Sequence, residues 1–458
     1  MKFNRPTVEV ATAQKLLLRH VKELEAERVP LLQSFGRTLA EDVRATHPVP
    51  HFVKSGMDGY AVRAADIQGA TPEQPAVLRV NQLIPCGAVP ALPIGPGEAA
   101  RIMTGAMLPD GADTVVMFEM TEERVVEKND TGDTVPVNAT STNAMNTNAT
   151  STNATSTNAT SMNATSNVNH VQETYAFIFK EVPLGRNVSQ IGEEMSEGEL
   201  LLERGRTIQA GEAALLATFG FSTVPVVRRP RVAILTTGSE LLAVEDPLQP
   251  GKIRNSNRVM LAALVESAGA EVMALQSVPD DVDQARTIVR DWMTRADVVL
   301  TSGGVSVGDF DIMADLLDTW DGNLLFQKVE MRPGSVTSAA VRQGVFLCAL
   351  SGNPGACFVG FELFVRPVLH ALQARRNVLP APFTARLRGD YPKANIYARY
   401  LRAKTTFADG MIYVEPAGQD RSSVTVSIKE SDCLIVIPPG GGVSDGDLVT
   451  ALRLPTAL

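Results

Sequence analysis

Asp297-Val298-Val299-Leu300-Thr301-Ser302-Gly303-Gly304-Val305-Ser306-Val307-Gly308-Asp309 opens as a continuous apolar run and passes through small hydroxylated and glycyl residues. It closes on an acid, after which a helical spacing begins at Ile312, Leu316 and Leu317. Run, turn and spacing predict a strand, a loop and a helix. Glycines allow a ligand to approach the backbone, Ser302 and Ser306 offer hydroxyls, and a helix start presents unpaired N–H groups suited to an anionic oxygen. By itself the stretch reads either as an oxyanion- or phosphate-binding loop or as an ordinary turn of an α/β sheet.

The sequence around it favours the binding loop. Strands are predicted at Arg231–Leu235, Glu271–Val278, Val298–Thr301 and Val345–Leu350, and helices at Asn257–Ala268, Asp281–Arg295, Asp309–Trp320 and Gly355–Leu372. Such alternation predicts a doubly wound parallel sheet, which binds ligands beyond the carboxyl ends of its strands. Four strand ends carry polar or glycine-rich turns: Thr236-Thr237-Gly238-Ser239-Glu240, Pro279-Asp280-Asp281, Ser302 to Ser306, and Ser351-Gly352-Asn353-Pro354-Gly355. Their convergence on one edge points to a ligand site.

On the N-terminal side, Val10, Leu16, Leu17, Val21 and Leu24 predict an amphipathic helix from Thr7 to about Arg28, capped by Thr7 or Thr12, with a solvated charged face. A proline- and histidine-rich crossing then leads into short β-type runs broken by Pro and Gly over residues 64–127, a small all-β domain. Asp58 and Thr104 stand there beside glycines, and local chemistry leaves Asp58 open as a turn former or a cleft residue. The Gly192-Glu193-Glu194 turn is open in the same way. Residues 138–167 form a degenerate Asn-Ala-Thr-Ser-Thr repeat without charge and almost without apolar residues, which predicts a disordered loop. After the last helix, β patterning at Phe383–Leu387, Tyr400–Ala403, Ile412–Val414, Leu434–Ile437 and Leu448–Thr450 predicts a closing barrel or sandwich.

The expected class is thus multidomain α/β plus β. The expected domains are residues 1–50 with 170–228 as a linker domain, 51–137 as an inserted β domain, 138–169 as the insert, 229–376 as the α/β domain and 377–458 as the C-terminal β domain. A chain of 458 residues exceeds one core. Its net charge of −9 argues against a general nucleic-acid or anionic-membrane binder, so any anion must be bound locally. Cys86, Cys348, Cys357 and Cys433 show no metal-ligand spacing and suit a reducing compartment. With no leader-like N-terminus and no run approaching the ~18–20 apolar residues of a membrane span, a cytoplasmic protein is expected.

With Met57-Asp58-Gly59-Tyr60-Ala61-Val62-Arg63, Ile102-Met103-Thr104-Gly105, Gly192-Glu193, Ser302-Gly303-Gly304-Val305-Ser306-Val307-Gly308-Asp309 and Gly352-Asn353-Pro354 in this order, the chain resembles the molybdopterin molybdenumtransferase family, MoeA and the gephyrin E domain. The resemblance implies a central domain of the molybdopterin-binding type and insertion of molybdate into adenylylated molybdopterin with release of AMP. It implies a divalent metal, usually Mg²⁺, and a homodimer, with possible hand-over to a molybdopterin adenylyltransferase and to molybdoenzyme chaperones. Asp58, Thr104, Glu193, Asp280 and Asp309 are then the expected catalytic residues. Thr237, Gly238, Ser302, Gly303, Gly304, Val305, Ser306, Gly352, Asn353 and Pro354 are expected to hold substrate. Mg²⁺ favours one or two carboxylates plus phosphate oxygens, which nominates Asp309 and Glu240, with Asp280 on the same edge. A small dianion needs cationic or hydroxyl donors, and Arg332, Ser335, Arg402 and Ser422 are the candidates. The chain departs from the family pattern at Arg332-Pro333-Gly334-Ser335-Val336, usually Lys-Pro-Gly-Lys-Pro. It departs again at Gly238-Ser239-Glu240, usually Gly-Asp-Glu, and at Asn353-Pro354-Gly355-Ala356, usually Asn-Pro-Val-Ser. An adenylyl-transferring or non-catalytic molybdopterin-binding paralogue or scaffold is the alternative. In the homodimer, Asp58 and Thr104 of one subunit are expected to serve the Gly303–Gly304 loop of the other.

Overall fold

Apolar side chains alternate between the two faces of the central strands, so both faces of that sheet demand cover. The computed structural model, which describes residues 6–128, 134–136, 171–304 and 312–455, supplies it. On one face Val232, Ile234, Val298, Leu300, Phe346 and Cys348 pack against Leu261 and Val265 of helix Ser256–Ser267 and against the helix that begins at Pro354. On the other, Ala233, Leu235, Val299 and Leu347 meet Ala285 and Val289 of helix Val282–Trp292 and Met313 and Leu316 of helix Ile312–Asp318.

The sheet has six strands in the order Glu271–Val278, Arg231–Thr237, Val298–Ser302, Val345–Leu350, Ser338–Arg342, Asn323–Phe326. The first four run parallel and the last two antiparallel. The chain leaves Arg231–Thr237 toward one neighbour and returns on its other side at Val298–Ser302. The gap between these strands is therefore a topological switch point, where a crevice opens beyond the carboxyl ends. The antiparallel edge pair escaped the sequence reading. Ser338-Ala339-Ala340 carries little β-branched signal, and the turn that joins Ser338–Arg342 to Val345–Leu350 is Gln343-Gly344, both at positive φ (52° and 84°), where Gln is an unusual occupant.

The chain divides into two compact units, Met1–Val43 with Leu200–Leu458, and Arg44–Glu199. In the first, helix Val10–Leu18 buries Val10, Ala13 and Leu17 in the same core as the α/β sheet. The predicted helix to Arg28 is corrected. The helix stops at Leu18, residues Ala26–Pro30 pair as a strand with Thr223–Val227, and Val21 and Leu24 pack on the core from a non-helical segment. Neither threonine caps it: Glu9 occupies the cap position, and Thr7 Oγ1 donates to Glu330 instead (2.6 Å). Beyond the α/β sheet, Pro382–Leu387, Ala398–Ala408, Met411–Pro416, Cys433–Ile437 and Leu448–Arg453 close into a five-stranded barrel, because Ala398–Ala408 pairs with both Met411–Pro416 and Cys433–Ile437. Short strand Met331–Arg332 adds to it, parallel to Ala398–Ala408.

The second unit is built on a seven-stranded sheet in the order Thr114–Met117, Gly59–Val62, Glu98–Ile102, Ala76–Ile84, Val171–Ile178, Thr121–Lys128, Thr134–Pro136. Gly59 is required there, since a Cβ would lie 1.9 Å from the Val116 carbonyl oxygen. The Asn/Thr repeat at 138–167 lies outside the described residues. Among those that are described, one helical stretch, Pro354–Leu372, is long and apolar enough to cross a membrane, against the expectation that no such run exists. It is 89% buried as the central helix of the α/β core.

Candidate active site

A cleft of about 940 Å³ opens where the switch point predicts. Its lining includes Thr236 to Glu240, Asp280, Ser302, Gly303, Gly304 and Ser351 to Pro354 from the strand ends. Arg332, Ser335, Arg399 and Ser422 complete it from the strand and barrel side. Two walls of different chemistry face one cavity.

The strand-end wall is mostly backbone. Gly303 and Gly304 have φ of 94° and 65°, and a Cβ on Gly303 would lie 2.6 Å from the Thr237 carbonyl oxygen and 2.8 Å from its hydroxyl. Only glycine tolerates both constraints. Polar side chains on this wall bind one another. Asn257, at the start of helix Ser256–Ser267, donates from Nδ2 to Ser302 Oγ (2.8 Å) and to the Gly352 carbonyl (2.8 Å), joining the loops after the third and fourth parallel strands in chain order. Ser302 Oγ also contacts the Ser351 carbonyl (3.3 Å), so this hydroxyl is engaged within the wall. Asn255 caps the same helix by accepting from Arg258 N (3.1 Å) and donates to Thr236 Oγ1 (2.9 Å). Thr237 Oγ1 and Asn257 Oδ1 are buried without a hydrogen-bond partner among the described residues. Buried polar atoms rarely stay unpaired, and these two lie on residues of the cleft wall.

Carboxylates stand at the cleft rim. Asp280 accepts from Ser239 N (3.2 Å), and neither Asp280 nor Glu240 has an ion-pair partner among the described residues. Pro354 opens the helix beneath Asn353, whose carbonyl accepts from Cys357 N (2.9 Å). Cys357 is wholly enclosed, and burial pushes its thiol up to about 12, so it is an inert core residue.

On the opposite wall, Arg332 is exposed and unpaired among the described residues, and Ser335 lies three positions on. Arg402 does not line the cleft. It is 6% exposed, with Nε donating to Ser427 Oγ (2.9 Å) and Nη2 to the Arg421 carbonyl (3.0 Å), and burial pulls its guanidinium below the usual range. A Cβ on Gly355 would stand 2.4 Å from its Nη1, so Arg402 braces the helix start and the Ser422 loop from behind. Ser422 itself accepts from Gly355 N through its carbonyl (2.8 Å). The three departures from the family pattern, Ser239, Ser335 and Ala356, all line this one cavity.

Asp58, Thr104 and Glu193 belong to the other unit. Asp58 Oδ1 accepts from Thr104 N (2.6 Å) and Thr104 Oγ1 (2.7 Å), and these bonds, the backbone one foremost, hold its carboxyl below the ordinary carboxylate range. Glu193 accepts from Gln190 N (3.0 Å) within its own turn. Val305, Ser306 and Asp309 lie outside the described residues. Sequence reasoning missed Asn255, Asn257 and Arg399 as residues of the cleft. Arg254-Asn255-Ser256-Asn257 carried a usable helix-cap signal, whereas the reach of Asn257 to residues 302 and 352 had none.

A cleft at an α/β switch point, carried in one chain with a five-stranded barrel and a separate β unit, defines a multidomain α/β plus β protein with a ligand-sized site. Residues 8–220 match the family model described as MoeA N-terminal region (domain I and II), 233–371 the probable molybdopterin binding domain, and 384–454 the MoeA C-terminal region (domain IV). A molybdopterin molybdenumtransferase of Bacillus subtilis is 38% identical over 98% of this chain and 95% of its own length, and one of Staphylococcus aureus is 37% identical over 95% and 93%. The crystal structure of a molybdopterin biosynthesis MoeA protein from Pyrococcus horikoshii aligns with a TM-score of 0.75 at 26% identity, covering 99% of this chain and 100% of that one. The chain belongs to the molybdopterin molybdenumtransferase family.

Proposed function

We propose that this chain inserts molybdate into adenylylated molybdopterin and releases AMP. The observation that carries the reading is the pairing of walls in one cleft: a glycine- and helix-lined wall suited to phosphate and nucleotide, and an arginine- and serine-bearing wall suited to a small dianion. Backbone N–H groups at Gly304 and Gly352 would donate to phosphate oxygens, the Gly303 N–H being used on the Leu350 carbonyl (3.2 Å), while Thr237 and Asn353 orient the substrate. Arg332, Ser335 and Ser422 would hold molybdate, with Arg402 bracing the Ser422 loop.

A divalent metal fits the donor set. Among the described residues no three His, Cys, Asp or Glu side chains cluster, but Glu240 and Asp280 line the cleft without cationic partners, the one-or-two-carboxylate environment Mg²⁺ favours. Together with Asp309 they would hold Mg²⁺, whose chemistry there is to neutralise charge on the phosphate oxygens. Asp280 also fixes the Ser239 turn by accepting from Ser239 N.

The decisive experiment supplies purified protein with adenylyl-molybdopterin, Mg²⁺ and molybdate and follows AMP. Release that requires both metal and molybdate supports the reading, and equal release without molybdate removes the proposed coupling. Forming adenylyl-molybdopterin from ATP, or binding without turnover, would favour the adenylyl-transferring or scaffold alternative.

The resemblance further supports a cytoplasmic homodimer that hands its product to partner proteins, with Asp58 and Thr104 acting at the cleft of the other subunit. Mixing inactive Asp58→Ala with inactive Asp309→Asn should then restore part of the activity through heterodimers. No recovery after confirmed subunit exchange would remove the shared-site arrangement.

A further inference from the structure

Strand geometry separates the two arginines at the start of the long barrel strand. Arg399 and Arg402 are three positions apart, so they face opposite sides of the sheet. Leu401 and Ala403, of the same parity as Arg399, point into the barrel core, whereas Tyr400, of the same parity as Arg402, packs on the α/β core. Arg399, on the barrel side near the start of the strand, lines the cleft, while Arg402, on the α/β side, is buried. Arg399 is also the register partner of Arg332 on the parallel strand Met331–Arg332, which places the two guanidinium stems side by side on one face.

The Arg399 side chain is held in place. One of its terminal nitrogens is paired with Asp420, whose carboxylate also accepts from Tyr391 OH (2.7 Å) and lies 4.0 Å from Lys393 Nζ. Its other terminal nitrogen makes a long contact to Asn395 Oδ1 (3.4 Å), and Nε is buried with no acceptor among the described residues, which leaves terminal N–H groups as the donors open to a ligand. A cleft-lining guanidinium with five donors thus has donors to spare, and its anchor restrains it before any ligand arrives.

We propose that Arg399, anchored by Asp420, is the second cation of the oxyanion wall and forms with Arg332 a two-arginine clamp for molybdate. This rests on the molybdate-inserting reading of the cleft and names the residue that supplies the charge absent at Ser335. A tetrahedral dianion between paired guanidinium groups gains charge-assisted hydrogen bonds from both sides.

The test is calorimetric titration of the full-length protein with sodium molybdate alone. Arg332→Ala and Arg399→Ala should each weaken the Kd about tenfold or more, the loss expected for one charge-assisted contact. Because Arg399→Ala leaves Asp420 without its main partner, the double variant Arg399→Ala/Asp420→Asn is titrated too, with its thermal midpoint matched to the wild type. It should show the same loss. If Arg332→Ala weakens binding while the Arg399 variants bind as the wild type does, the clamp is wrong and the molybdate reading of the cleft survives. If the wild type fails to bind molybdate, both fall.

Discussion

The two walls of the cleft solve the anion problem by opposite means. At the strand ends, recognition is built from backbone and from side chains already bonded to one another: Asn257 joins Ser302 to Gly352, Asn255 joins a helix start to Thr236, and Gly303 fits against Thr237 with no room for a methyl group. Across from it, Arg332, on the two-residue strand Met331–Arg332, and Ser335, in the turn that follows, present side chains with few partners. A wall whose shape is its function cannot change one residue without moving others. A wall of individual donors can exchange a charge and keep its fold, as at Arg332 and Ser335, whereas the departures at Ser239 and Ala356, on the strand-end wall, exchange small residues without adding bulk to its loops.

That contrast is open to direct attack. The largest effect is expected from Gly303→Ala, which adds a methyl 2.6 Å from a carbonyl oxygen at a φ of 94°. It should cost at least about 1–2 kcal/mol in denaturant unfolding and about a hundredfold in AMP release, since a small displacement of a positioning loop suffices for such a loss. Near-normal turnover by this variant would mean that the strand-end wall is more tolerant than its packing implies. Asn257→Ala comes next. It leaves the Gly352 carbonyl and Ser302 hydroxyl without their shared donor, at a cost of about 1–3 kcal/mol in unfolding free energy. Stability and molybdate-dependent activity should fall together.

On the side-chain wall, Ser335→Lys should leave the unfolding transition in place and, placed in the Arg399→Ala background, win back the loss of about tenfold in molybdate affinity, measured by titration. No recovery would show that a cation at position 335 cannot stand in for Arg399. The smallest effect is expected outside both walls. Removing residues 138–167, whose composition holds no charge and almost no apolar surface, should change neither the thermal midpoint nor turnover, because shortening a loop alters its closure entropy only slowly. A clear fall in either would give the insert a role that its composition does not predict.

Much of the architecture was present in local patterns. Glu271–Val278 emerged with its predicted bounds, and Asp281 caps the following helix by accepting from Gln284 N (2.8 Å). The five C-terminal runs became a closed barrel. These succeed because a period of two or 3.6 residues and a turn residue act within a few positions of chain. The first helix failed for a related reason: Val21 and Leu24 meet the α/β core from a non-helical segment, and burial alone does not reveal the backbone that delivers it.

Which polar groups meet was decided by the tertiary structure. The sequence determined that four strand ends would bear ligand-type turns and, through five motifs in order, which family the chain belongs to. It could not determine that Asn257 would reach both residue 302 and residue 352, nor that Arg399 and not Arg402 would face the cleft. Parity along a strand allows only one of those arginines to face a given side. The side that looks into the cavity is fixed by the register of Ala398–Ala408 against Met331–Arg332, a pairing between segments more than sixty residues apart.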